Sequence, residues 1–117
     1  MTECKYIKMK DLMFHVYQFE KHLSRDHKML LNEALVLGML GNGKPRRSTD
    51  LADELGTTYS MMSRTLSSLE DAGFVERAIG KEDKREMLFT ITKTGAKKLS
   101  VLNGGYDFDA FFVALNK

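Results

Sequence analysis

Residues Ser48–Leu99 read STDLADELGTTYSMMSRTLSSLEDAGFVERAIGKEDKREMLFTITKTGAKKL, and this stretch decides the fold. Ser48 or Thr49 is placed to cap a helix running to Leu55, and Gly56 suits the left-handed position that ends one. Thr58 then caps a second helix, Tyr59 to about Ala72, which Gly73 terminates. Ala52 is small where two helices would cross, and Met62, Leu66 and Leu69 recur at the spacing of one inward face. Phe74–Ala78 and Glu86–Ile91 are strand candidates joined through Gly80-Lys81-Glu82-Asp83-Lys84. On the second of these, Met87, Phe89 and Ile91 alternate with Leu88, Thr90 and Thr92, a period of two. Thr92 or Thr94 opens a further helix. Two short helices about a glycine are a common hairpin, but a strand pair with a charged tip directly after them predicts a winged helix-turn-helix.

Outward from this core, residues 6–23 carry Tyr6, Ile7, Met9, Leu12, Met13, Phe14, Val16, Tyr17, Phe19 and Leu23. That is too broad for a single apolar stripe, so this helix is expected to bury two faces, one in its own domain and one against a second subunit. Ser24–His27 reads as a polar break. A helix fits about Leu31–Leu40, with Gly38 its weak point, and Gly41-Asn42-Gly43-Lys44-Pro45 ends it. The helix opened at Thr92 or Thr94 ends near Asn103-Gly104-Gly105, and Phe108, Phe111, Phe112 and Leu115 keep helical spacing over Tyr106–Leu115. The expected architecture is mainly α with a small β-hairpin wing. It forms one domain over 1–117, with the winged core at about 31–92 and flanking helices at about 6–23 and 93–115.

Composition excludes several classes of function. No apolar run approaches the roughly 20 residues that span a bilayer, and MTECKYIKMK has no apolar secretory core. A cytoplasmic protein without a membrane partner is expected. One cysteine rules out an internal disulfide and a four-cysteine zinc site. There is no P-loop, GxGxxG or Ser-His-Asp set, so neither an enzyme nor a cofactor is expected. The net charge of +2 is mild for a nucleic-acid-binding protein, and distribution says more than the total. Lys44, Arg46 and Arg47 form one cluster, Lys81, Lys84 and Arg85 a second, Lys93, Lys97 and Lys98 a third. Such clusters are usually solvated surface, but two of these flank the helix-turn-helix.

The core resembles the MarR family of bacterial and archaeal transcriptional regulators. The resemblance rests on Leu51-Ala52, Met62-Ser63-Arg64, Leu69-Glu70, Gly73-Phe74-Val75-Glu76-Arg77, Asp83-Lys84-Arg85, and Ile91-Thr92 followed by Gly95, about half of the chain. It implies a homodimer interlocked through N- and C-terminal helices, one winged helix per subunit offered to double-stranded DNA, and in many members a small-molecule effector. Gly104-Gly105 interrupts the usually long fifth helix and implies a shorter dimerisation arm.

In such a protein the helix after Thr58 lies in the major groove, exposing Thr58, Tyr59, Ser60, Met61, Ser63, Arg64 and Ser67. Arg64 can take guanine O6 and N7 together, or else a phosphate or an intramolecular carboxylate. Met61 suits a thymine methyl or the core, and Met62 the core. Arg85 resembles the family arginine that enters the minor groove. Lys81, Lys84, Arg46 and Arg47 suit phosphates, while Asp83 and Arg77 orient the wing. Some relatives sense peroxide through an N-terminal cysteine near tyrosines, which singles out Cys4 beside Tyr6, although a passive thiol is the plainer reading. His15 and His22 share a helix face but stand about two turns apart, too far for one metal ion. Repression is the default sign of regulation, and a winged helix used for protein contact is the competing class.

Overall fold

The computed structural model describes residues 4–79 and 87–115. In chain order these form α1 (Lys5–His22), a π-helical turn (Leu23–His27), α2 (Leu31–Met39), β1 (Arg46–Arg47), α3 (Ser48–Leu55), α4 (Tyr59–Asp71), β2 (Val75–Ile79), β3 (Met87–Ile91), α5 (Lys93–Gly104) and α6 (Phe108–Leu115). They group into two compact units. One comprises Asn32–Gly104; the other joins the described residues up to Leu31 with those from Gly105 onward.

In the Asn32–Gly104 unit the apolar periodicity of the sequence becomes the core. Leu51 and Ala52 of α3 are fully buried, as are Val36, Leu37 and Leu40; Met62, Leu66 and Leu69 of α4 are 1% exposed. Each such leucine gains roughly 1.5–3 kcal/mol over an exposed one. Val75 and Phe89 close this core from the sheet and Leu102 from α5. The sheet is antiparallel with strand order β1-β3-β2. Its register pairs Val75 with Ile91 and Ile79 with Met87; residues 80–86, which connect the two strands, lie outside the described residues.

Three local features position α4. Gly56 at φ 83° ends α3, and Thr58 accepts the Met61 amide at 3.0 Å to cap α4, as the sequence predicts. At the far end Gly73 sits at φ 82°. Its amide donates to the Glu70 carbonyl and the Phe74 amide to the Leu69 carbonyl, the paired bonds of a Schellman turn. The start of α5 is pinned to the same turn. The Thr92 amide donates to the Phe74 carbonyl at 3.0 Å, its hydroxyl donates to the Gly73 carbonyl at 2.6 Å, and that hydroxyl accepts the Gly95 amide at 3.0 Å. A Cβ on Gly95 would stand 2.1 Å from the Phe74 oxygen, which is why the position is glycine.

The second unit is built from α1, the π-turn and α6, with α1 packed against α6. Phe19 meets Tyr106 at 4.9 Å and Phe108 at 5.5 Å between ring centroids, and His22 meets Tyr106 at 4.9 Å. His22 Nδ1 lies 3.0 Å from Asp26. None of the 18 residues of α1 is buried.

Three expectations are corrected. Ser24–His27 is no break: the helix widens into a π-turn and stops at Lys28, whose left-handed backbone (φ 55°) lets its amide reach the Leu23 carbonyl. Neither Ser48 nor Thr49 caps α3. The capping position is Arg47, with no side-chain bond, because Ser48 is already the first helical residue. Finally, the wing is not a simple hairpin: Arg46 and Arg47 pair with Phe89 and Leu88, adding a third, two-residue strand.

Candidate nucleic-acid interface

A 13-residue helix that buries Met62, Thr65, Leu66 and Leu69 has one side left for a partner. On α4 and its cap that side consists of Thr58, Tyr59, Ser60, Met61, Ser63, Arg64 and Ser67, all exposed. Their side chains offer four hydroxyls besides the tyrosine and guanidinium donors, a set able to hydrogen-bond base edges or phosphates. Met62 is core and Met61 is 37% exposed, which separates the two adjacent methionines by role. Among the described residues Arg64 has no ion-pair partner.

The other arginines among the described residues are engaged. Arg47 donates to Asp50 through Nε at 2.9 Å and Nη2 at 3.2 Å. Arg46 donates through Nη2 to Glu54. Arg77 grips Glu70 with both Nε (2.8 Å) and Nη2 (2.7 Å), and its guanidinium lies 5.4 Å from the centre of the Phe89 ring. The hydrogen bonds to Glu70 hold Arg77 still more firmly protonated than usual. Arg77 thereby links β2 to the last turn of α4. The Tyr59 hydroxyl donates to Asp53 at 3.2 Å, and the charge of Asp53 together with that bond pushes its ionisation upward.

Lys81, Asp83, Lys84 and Arg85 lie outside the described residues. Cys4 is exposed at the start of α1. No helix of the described residues is long and apolar enough to cross a membrane, and no three His, Cys, Asp or Glu side chains among them converge as metal ligands. Sequence reasoning also missed two contacts of α4. Asp53 holds Tyr59, six residues apart. Glu33 of α2, 9% exposed, accepts the Ser68 hydroxyl from α4, 35 residues away. The i to i+6 step crosses a helix-turn-helix corner, and no local pattern announces the second.

A helix-turn-helix whose second helix has a buried apolar face and an exposed hydroxyl-rich one, followed by an antiparallel strand pair, defines a winged helix-turn-helix protein. More narrowly, the chain belongs to the MarR family, whose sequence pattern matches residues 27–86. It is 33% identical over 79 residues to the uncharacterized HTH-type transcriptional regulator YhjH of Bacillus subtilis (strain 168), covering 68% of this chain and 45% of that protein. It is 34% identical over 62 residues to YdcH of the same organism, covering 53% and 42%. The chain thus spans just under half the length of these curated relatives. In fold it is similar to wild-type apo MarR of E. coli (TM-score 0.80, 19% identity, 89% of this chain and 76% of that one). The MepR–DNA complex of S. aureus gives TM-score 0.80 and 19% identity over 98% of this chain and 83% of that one. The family is one of transcriptional regulators.

Proposed function

We propose that this chain is a sequence-specific regulator that binds duplex DNA as a homodimer in the cytoplasm, with α4 in the major groove and the wing at the minor groove. The observation that carries this reading is the division of α4. Met62, Leu66 and Leu69 fix one side in the core, while Thr58, Ser60, Ser63, Arg64 and Ser67 stand in solvent on the other. The likeness in fold to MepR, whose structure contains DNA, supports the same use of this helix. Arg64 reads a base edge, the neighbouring hydroxyls, Arg46 and Arg47 hold the backbone, and Lys81, Lys84 and Arg85 extend the contact along the wing. Occupancy of a promoter makes repression the default outcome, relieved by a small-molecule effector.

Homodimer formation draws support from the unit that contains α1. Tyr6 (83% exposed), Ile7, Met9, Phe14 and Tyr17 of α1, with Phe112 and Val113 of α6, are exposed apolar side chains concentrated on two helices. Apolar surface so grouped marks a protein interface.

Selection of binders from a random-sequence duplex pool, with mass measurement of the free protein and the complex, tests the reading. A pseudo-palindrome with half-sites about one helical turn apart and two chains per duplex is expected. Affinity falls steeply with salt as counterions are released, and Arg64→Ala relaxes the choice at one base pair per half-site by about 1–3 kcal/mol. A pool without an enriched sequence, or salt-independent binding, refutes it.

A further inference from the structure

The short helix α3 has three acidic residues in eight, Asp50, Asp53 and Glu54, and each holds a group that the DNA-binding reading assigns to nucleic acid. Asp50 takes Arg47 through two hydrogen bonds, Glu54 takes Arg46, and Asp53 accepts the Tyr59 hydroxyl. The selection among arginines is informative. The pair assigned to phosphate, Arg46 and Arg47, is held by carboxylates, whereas Arg64, assigned to a base edge, has no ion-pair partner among the described residues.

From this division we infer that Asp50 and Glu54 are residues that set the affinity for DNA: they neutralise Arg47 and Arg46 in the free protein and suppress binding to DNA of arbitrary sequence. The inference rests on the proposed DNA-binding function. Sequence-independent affinity comes almost wholly from cations that neutralise phosphates. An arginine already bound to a carboxylate has to exchange that partner for a phosphate, and the released carboxylate then faces the DNA backbone. The exchange is feasible because these side chains are not deeply buried: Arg47 is 53% exposed and Asp50 44%, Arg46 26% and Glu54 56%. Exposed pairs of this kind are weak and exchangeable. Where the bases match, Arg64 and its neighbouring hydroxyls supply the additional contacts that make exchange worthwhile; elsewhere the arginines stay with α3. The carboxylates therefore lower affinity for every duplex: on unmatched DNA the two phosphate contacts are forgone, and on matched DNA the exchange of partners is a cost.

The test compares wild type with Asp50→Asn/Glu54→Gln in the full chain. The probes are a mixed-sequence fluorescein-labelled duplex and the best duplex from the selection, titrated across a salt series. The variant is expected to bind the mixed-sequence duplex about tenfold tighter at low salt, with a logarithmic salt slope steeper by roughly one to two, as expected when one or two cations become available for phosphates. The selected duplex gains at least as much, since binding it no longer requires the two ion pairs to be broken. Adding Arg46→Gln/Arg47→Gln in that background should abolish the gain. Glu54→Gln alone, in the last turn of α3, should give about half the change in slope and serves where the double variant folds poorly, as judged by circular dichroism. A folded variant with wild-type slope and affinity overturns the inference, as does a gain that survives removal of both arginines, since that would reflect general charge repulsion. Wild type that binds no duplex at all overturns the DNA-binding function itself, a result distinct from either.

Discussion

Gly95→Ala provides a test of the junction where α4, β2 and α5 meet. In an ordinary helix the substitution gains about 1 kcal/mol, because alanine is the better helix former. Here the added Cβ would lie 2.1 Å from the Phe74 carbonyl oxygen and 2.9 Å from Ile91 Cγ1. The oxygen belongs to backbone that also receives the Thr92 amide at 3.0 Å, so it cannot swing aside as a flexible side chain would. Opening the gap by about 1 Å costs the roughly 1–3 kcal/mol of an overpacked core and weakens the Thr92 bond, worth about 1 kcal/mol. The sum, less the helix gain, is a net loss of about 2 kcal/mol. Urea unfolding at fixed protein concentration reads this directly: with a slope near 1–3 kcal/mol per molar, the midpoint falls by about 1 M. Gly38→Ala is the control, since Gly38 lies within α2 and a Cβ there meets nothing within 4 Å. It should raise stability by about 0.5–1 kcal/mol. The same chemical change thus has opposite signs at two helical positions. A midpoint for Gly95→Ala equal to or above that of wild type would refute the steric reasoning.

Three further outcomes are expected. Thr58→Ala removes the acceptor of the Met61 amide and lowers stability by about 1 kcal/mol in thermal melting, whereas Thr58→Ser retains most of it. Leu66→Ala, at a site 1% exposed, costs about 2–5 kcal/mol by the same measurement, and a loss below 1 kcal/mol would place Leu66 outside the core. Tyr59 keeps its proton at a pH where a free tyrosine has lost it, because ionisation would set a phenolate beside the Asp53 carboxylate. NMR titration of ring-labelled tyrosine should show Asp53→Asn bringing that resonance back toward the ordinary value near 10, and an unmoved titration would discount the contact.

The parts legible in the sequence were those in which local chemistry and burial agree. Gly56, Thr58 and Gly73 each impose a backbone state recognisable from residue type, and Met62, Leu66 and Leu69 recur at one-face spacing, so the boundaries of α4 followed directly. The third strand was not legible. Arg46 and Arg47 are too few for periodicity, and their pairing is dictated by the exposed edge of β3 more than 40 residues on. The Ser24–His27 polarity suggested a stop, yet a π-turn needs only carbonyls within reach of later amides, and polar side chains do not prevent that. Within the candidate interface, the exposed side of α4 could be derived from its buried side. The engagement of Arg46 by Glu54 and of Arg77 by Glu70, eight and seven residues apart, could not. On a helix such separations would set the partners about two turns apart; the contacts exist only once β1 and β2 are placed beside α3 and α4.

The unit that joins α1 to α6 draws its material from both sides of the Asn32–Gly104 unit. Contacts such as Phe19 with Tyr106 and Phe108 therefore bridge the whole of that intervening unit in sequence, and closing so long a loop in a disordered chain is slow. Folding of the intervening residues shortens that loop before the ends meet. On the ribosome the order is unavoidable: α1 is made first, and its aromatic partners on α6 emerge only after the whole winged core. Throughout that interval His15 and Phe19 lack Phe111 and Phe108, the rings of α6 that they pack against. Synthesis speed thus sets how long a sticky helix waits, and the burden of avoiding premature association falls on the rate at which the winged core folds.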